Sequence, residues 1–300
     1  MQEPIRIISK IEIKGPNLVK GISFEGQRVL GDPKDFIDYY TNNGADEIFI
    51  QDTVASLYER SLDFDFIKNI TENVNIPVIV GGGIKSIDEI KMALRSGADK
   101  VAINTFAIKN QKFLNEAINV FGSQCIVSSI EAKKLDYNNY VLFYEYGRAN
   151  SNISLTNWIE KICDIGVGEI LLTSVDKDGT MSGLDLELGN LVNSTCTMPL
   201  ILSGGFHQAN EIEYAFKNYG LKNFAISKSF HYDCLNNGLF VNNSLHQYNQ
   251  ILRKNNNIDI GNKEFLKNLF HKTDSIGFDT FDIVRLKNEL IDNSNLKIRV

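Results

Sequence analysis

The chain repeats itself at one spacing. Pro77-Val-Ile-Val-Gly-Gly-Gly is matched 122 positions later (199 minus 77) by Pro199-Leu-Ile-Leu-Ser-Gly-Gly. Glu47 of DEIFI is matched by Glu169 of GEILL at the same offset (169 minus 47). A third pair, RIISKIEIKG (6–15) and CIVSSIEAKK (125–134), sets Glu12 and Glu131 119 positions apart (131 minus 12). Three strand-like segments that recur in this way describe two similar half-structures.

Each half alternates short apolar runs with amphipathic stretches. The predicted strands are 6–13, 46–51, 77–80, 100–104, 125–131, 168–174, 199–203 and 224–227. Most are apolar on both faces, as strands covered by other layers are. Predicted helices include 32–43, 86–97, 157–166 and 210–220. Ser86 followed by Glu89 reads as a capping box, and Gly97 and Gly220 as helix terminators. Eight strand–helix units match a (β/α)8 TIM barrel, whose rival is a doubly wound open sheet. The repeat decides for the barrel, because two four-strand halves close naturally into eight strands.

The segment 135–147 alternates around Asn138-Asn139 and predicts a small hairpin after strand five. Residues 1–260 are assigned to the barrel and 261–300 to a C-terminal helical extension, with helical patterns near 262–271 and 279–291. The net charge of −6 argues against a nucleic-acid or anionic-membrane surface as the main partner. No apolar run approaches a membrane span of about 18 residues. The start, MQEPIRIISK, lacks a signal-peptide layout, and the four cysteines are widely spaced. A cytoplasmic protein with reduced cysteines is expected. No metal-ligand cluster is evident and no cofactor is expected; His207 and His231 read as local hydrogen-bonding groups.

In such barrels the chemistry sits at the C-terminal strand ends. There lie GGGIKS (81–86), SGGFHQ (203–208), INT (103–105) and ISKS (226–229). Glycine lets backbone N–H groups approach an anion. Each half therefore offers a candidate phosphate cradle. One is Gly82, Gly83, Asn104 and Thr105; the other is Gly204, Gly205, Ser227 and Lys228, with Asp178 and Gly179 beside it. Tight βα turns alone would also call for these glycines. Two cradles across one mouth suit a ligand with phosphate at both ends.

The carboxylates Glu12, Glu131, Asp52 and Asp178 map to the same rim. Glu12 and Glu131 fall on opposite sides, where one acid and one base can move protons on a ligand between them. Pairing with Lys14, Lys20 or Lys133 is the simpler alternative. At the opposite strand ends stand Arg6, Glu47, Lys100 and Glu169. Charges at a barrel floor ordinarily face water, but four of alternating sign at one level can close a salt-bridged ring.

With these residues assembled, the chain resembles the cyclase subunit family of imidazole glycerol phosphate synthase. The resemblance spans residues 5 to about 255. It rests on VKG (19–21), GDP (31–33), GADE and GADK (44–47, 97–100), VGGGI (80–84), FGSQCIV (121–127), GEILLTSVDKDGT (168–180), SGG (203–205) and FH (230–231). It implies a lyase-type synthase subunit of a glutamine amidotransferase that receives ammonia from a glutaminase docked on the floor. By resemblance, Arg6, Glu47, Lys100 and Glu169 form an ammonia gate and Asp99 serves docking. Glu12 and Glu131 match the acid/base pair, and Lys20 and Asp178 complete the expected catalytic set. The cradles would hold a phosphorylated small molecule.

The chain departs from the family pattern in five places. The two catalytic positions are aspartates in the family, and here each carboxylate stands about 1.5 Å further out. A misplacement of about 1 Å can cost on the order of a hundredfold. Lys228 replaces a serine, GRANSN (147–152) replaces a basic loop, and the 40-residue tail is additional. These departures resemble a paralogous branch that works with a glutaminase and an ATP-dependent sugar amidotransferase. Members of that branch convert acetamido to acetamidino groups on surface-glycan or flagellin sugars. That branch is the favoured expectation. A true histidine-biosynthesis cyclase and a non-catalytic scaffold that activates a glutaminase are the alternatives.

Overall fold

The computed structural model describes residues 4–136, 139–235, 280–294 and 297–299. Among these residues the strands are β1 (Arg6–Lys14), β2 (Asn17–Ile22), β3 (Glu25–Gly31), β4 (Glu47–Asp52), β5 (Val78–Gly81), β6 (Lys100–Ile103), β7 (Ile126–Asp136), β8 (Asn139–Tyr144), β9 (Ala149–Ser154), β10 (Glu169–Ser174), β11 (Leu200–Ser203) and β12 (Asn223–Ile226). Helices are α1 (Pro33–Asn42), α2 (Phe64–Thr71), α3 (Ile87–Arg95), α4 (Thr105–Lys109), α5 (Phe113–Phe121), α6 (Leu155–Ile165), α7 (Leu186–Thr195), α8 (Ala209–Tyr219), α9 (Lys228–Asp233) and α10 (Ile283–Ser294).

Eight strands close into a parallel barrel in the order β1-β4-β5-β6-β7-β10-β11-β12, with β12 returning to β1. This is the (β/α)8 architecture that the repeat predicts. The duplication persists in the register. Ile48 pairs with Val78 in the first half and Ile170 with Leu200 in the second, each member shifted by 122. None of the described helices is long and apolar enough to cross a membrane.

Local chemistry fixes the helix starts. Asp32, Asp63, Ser86, Ser154 and Asp185 each accept a backbone N–H of the first turn. The Ser86 cap is half of the box that the sequence predicts. Ser86 Oγ accepts from Glu89 N, but the Glu89 carboxylate accepts from Lys85 N and from Ser61 Oγ instead of closing back on Ser86. Gly166 and Gly220 end α6 and α8 in the left-handed conformation.

Two features lie on the mouth side. After β1 the chain forms the hairpin β2–β3, which the sequence reading did not assign. After β7, β8 pairs antiparallel as predicted, and β9 then adds a further strand reaching Ser154.

The last helix belongs to the barrel's own core. Phe281, Ile283, Leu286 and Leu290 are buried in the main apolar cluster. Phe281 meets Phe206 edge-on, and Lys287 Nζ reaches Asp46 Oδ1 at 2.7 Å. Beyond α10, Ile298 bridges to Ile5 beside the start of β1. The pattern at 279–291 thus corresponds to α10, while the one at 262–271 and the boundary at 260 lie outside the described residues.

Candidate active site

Side chains two residues apart on a strand point the same way. Along β1 that alternation sends Arg6, Ile8, Lys10 and Glu12 into the barrel. Along β4 it gives Glu47, Phe49 and Gln51, and along β6 and its end Lys100, Ala102 and Asn104. Each step is roughly 6–7 Å along the strand. The interior is therefore layered.

The lowest layer is a closed ring of ion pairs. Arg6 bonds Glu47 at 2.8 Å and Glu169 at 2.5 Å, and Lys100 bonds the same two carboxylates at 2.9 and 2.7 Å. Arg6 Nε is further held by Asn223. Burial pushes the Glu47 carboxyl up, against the attraction of Arg6 and Lys100. Asp99 is exposed at the same end, its carboxylate accepting from Val78 N at 2.8 Å.

Above the ring lies an apolar layer with one residue from every barrel strand: Ile8, Phe49, Ile79, Ala102, Val127, Leu171, Ile201 and Ala225. Ion transfer into such surroundings is strongly unfavourable. Ala102 and Phe49 also form the base of a cavity of about 290 Å³ at the mouth.

That cavity contains the first cradle. Gly82, Gly83, Asn104 and Thr105 line it, with Arg60, Lys85, Lys109, Glu131 and Tyr146. Gly82 has φ +107°, and a Cβ there would sit 2.4 Å from the Asp52 carbonyl, so the turn itself requires glycine. Asp52 is committed to the loop below: it accepts from Val54 N and Ala55 N and pairs with Arg60 at 2.6 Å. Thr105 Oγ1 accepts from Glu145 N, fixing the β8–β9 turn against the cradle.

The two glutamates stand on strands four places apart around the ring, and their surroundings differ. Glu131 is buried, with Oε2 accepting from Gly147 N at 2.7 Å. Burial pushes its carboxyl up to about 7, opposed by the Gly147 N–H and the Asn104 side chain. Glu12 is fully buried against Lys20, whose Nζ lies 2.7 and 2.9 Å from its oxygens, and Lys10, 3.4 Å away. Burial alone would raise it, but Lys20 and Lys10 prevail and hold it below the ordinary carboxylate range. Lys20 bridges on to Asp178 at 2.8 Å, and both carboxylates keep its ammonium charged despite burial.

Two aromatic residues close the centre of the mouth. Tyr146, at the β8–β9 turn, stacks on Phe24, at the β2–β3 turn, with ring centroids 4.1 Å apart. Tyr146 donates its hydroxyl to Glu12 at 3.3 Å. Glu131 therefore faces the cavity, whereas Glu12 stands behind the Tyr146 ring. The sequence reading did not single out Phe24, Tyr146 or Lys10. Lys10 is fully buried, 3.4 Å from Glu12, 3.8 Å from Asp178 and 5.4 Å from the Phe24 ring. Its signal was available: it lies two residues from Glu12 and four from Arg6 on one inward-facing row.

The second cradle is narrower than the first. Asp178, Gly179, Gly204, Gly205, Ser227 and Lys228 surround a cavity of about 20 Å³. Lys228 Nζ donates to the Gly179 carbonyl at 2.7 Å. Burial, and next the Lys20 charge, lower the Lys228 ammonium's pKa. His231, below, is buried on Tyr40 at 2.7 Å, and burial depresses it to about 3, so it stays neutral.

The sequence profile described as "Histidine biosynthesis protein" matches residues 6–236. A Legionella pneumophila protein named "Imidazole glycerol phosphate synthase subunit HisF" is 45% identical over 207 residues, 69% of this chain and 98% of the relative. Proteins with the same name from Lactococcus lactis subsp. lactis and Methanocaldococcus jannaschii are each 41% identical, covering 76% and 70% of this chain and 88% and 85% of themselves. The chain belongs to the histidine biosynthesis protein family, in its HisF-like cyclase group.

Proposed function

We propose that the chain is the ammonia-accepting synthase subunit of a glutamine amidotransferase pair. A glutaminase docks on the floor beside Asp99, and ammonia enters through the ring of Arg6, Glu47, Lys100 and Glu169. It then passes the apolar layer near Ala102 and meets a phosphorylated acceptor in the mouth. One observation carries this reading: charged ring, apolar layer and acid-lined cavity lie in succession along one barrel axis. The apolar layer favours a small neutral guest over an ammonium ion.

At the mouth, Glu131 supplies the proton to the acceptor. Glu12, held ionised by Lys20 and Lys10, is the matching base, reached through the Tyr146 hydroxyl. Burial keeps that hydroxyl protonated, since its pKa lies well above the ordinary tyrosine value. The relatives' name supports the ring-closing step of histidine biosynthesis as the reaction. A second reading is favoured by Lys228 standing inside the second cradle: ammonia supplied, with an ATP-dependent sugar amidotransferase, for acetamidino-sugar formation.

The test is growth of a histidine auxotroph lacking the cyclase subunit, alongside glutamine hydrolysis by the partner glutaminase. Growth at ordinary expression supports the histidine acceptor. Absent growth, with glutamine hydrolysis stimulated by this chain, supports the second acceptor. Hydrolysis indifferent to this chain contradicts the synthase-subunit reading itself.

A further inference from the structure

Barrel strands that are apolar on both faces need cover outside as well as inside, and a helix after each strand supplies it. After β12 comes α9, whose six residues make a helix of only about 9 Å. Yet the outward side chains Phe224 and Ile226 of β12, and Ile7 of the neighbouring β1, are buried. Their cover comes later in the chain. Phe281, Ile283, Leu286 and Leu290 share their apolar cluster, and the last three recur at the spacing of one helix face.

The helix α10 also runs as a barrel helix must, from mouth to floor. At its start Phe281 N donates to Ser229 Oγ at 2.9 Å, and Thr280 Oγ1 donates to Asp233 Oδ1 at 3.1 Å, both on α9. The Phe281 ring meets Phe206, just past the mouth end of β11. Further along, Lys287 reaches Asp46, which precedes β4 at the floor. Beyond the helix, Ile298 bridges to Ile5, which precedes β1. The neighbour of α10 on one side is α8, the helix before β12.

From this placement we infer that α10 is the eighth helix of the barrel. Residues 236–279 are then an insertion that leaves and rejoins the barrel at its mouth, on the face opposite the glutaminase. The added length is internal to the barrel's sequence and is not a tail that follows it. The part that concerns the glutaminase rests on reading the floor as its docking face; the assignment of α10 does not.

The 44 residues leave after Leu235 and return at Thr280 (279 minus 235). The hydrogen bond between Asp233 and Thr280 holds the two ends side by side. A domain accepts an insertion where its flanking ends are close. Loop-closure entropy grows slowly with length, so a long connection there costs the barrel little more than a short one. The ring of ion pairs, the apolar layer and the first cradle are all built from residues outside 236–279. The ammonia route is therefore complete without the insertion.

Two deletions and one measurement on the full-length protein test this. Excising 236–279, with Gly-Ser-Gly joining Leu235 to Thr280, leaves a bridge of about 10 Å. That variant is expected to melt within about 5 °C of the full chain and to stimulate the partner glutaminase within about twofold of it. Ending the chain at residue 279, which removes α10, is expected to abolish cooperative unfolding. Hydrogen exchange of the full-length protein should show α10 amides exchanging within about tenfold of those of α8. Exchange of α10 about a thousandfold faster than α8, or a chain ended at 279 that melts within about 5 °C of the full one, would make α10 an appendage and overturn the inference. An excised chain that does not fold, or that folds without stimulating a glutaminase that the full chain stimulates, would overturn the insertion. A glutaminase that the full chain itself leaves unstimulated speaks against the ammonia reading instead, and exchange and melting still decide α10.

Discussion

Replacing Glu131 by alanine is expected to lower ammonia-dependent turnover by about 10²–10⁴-fold, the range for loss of a positioned general acid. Glu131 is the buried carboxyl that lines the open cavity, and burial keeps it half protonated near pH 7. The pH profile carries the same signature. A carboxyl whose pKa is raised in the folded protein holds its proton until pH passes that value. The wild-type rate therefore falls as pH rises through about 7. Glu131→Gln, which cannot donate an ionisable proton, should be slow throughout and lose that limb. Steady-state rates with ammonium salt across pH read both effects. A Glu131→Ala enzyme within about threefold of wild type would remove Glu131 from the chemistry.

The second large effect belongs to the floor. Glu47→Ala leaves Arg6 and Lys100, both substantially buried, sharing Glu169 alone. Removing one partner of a buried ion pair costs about 3–5 kcal/mol, because the remaining charges stay desolvated. For a chain of this size the melting temperature should fall by roughly 5–10 °C. The open ring should also lower the efficiency with which glutamine, but not added ammonium, supports turnover. Thermal denaturation and the ratio of the two rates measure this. A variant as stable as wild type would mean that the four residues are solvated and the ring is not a unit.

Much of this was legible in the sequence because the repeat operates at the level of whole strands. An offset of 122 fixed which strands correspond, and the observed registers of β4–β5 and β10–β11 carry that same offset. Strand alternation then placed Arg6, Glu47, Lys100 and Glu169 at one level. Lys10 is equally readable from that alternation, although a lysine inside a barrel runs against expectation. Phe24 and Tyr146 had no local signal. Both sit at turn tips with positive φ, a conformation that glycine or asparagine ordinarily marks. Their contact joins segments more than a hundred residues apart. The screening of Glu12 from the cavity follows from that contact, so the symmetry of the sequence could not reveal it. The narrowness of the second cradle is of the same kind. It depends on where Lys228 turns its ammonium, which the spacing of SGG and ISKS leaves open.

Glu12 and Glu131 occupy equivalent places in the two halves, yet one lies against two ammoniums and the other is buried against the Gly147 N–H and the Asn104 side chain. A carbon-13 titration of the glutamate carboxyl signals in the full-length protein, assigned with Glu12→Gln and Glu131→Gln, measures the outcome directly. Glu131 should titrate near 7, and Glu12 should stay ionised below the ordinary value of 4.5. Two carboxyls that titrate together near 4.5 would contradict the division of one inherited pair into an acid and a base.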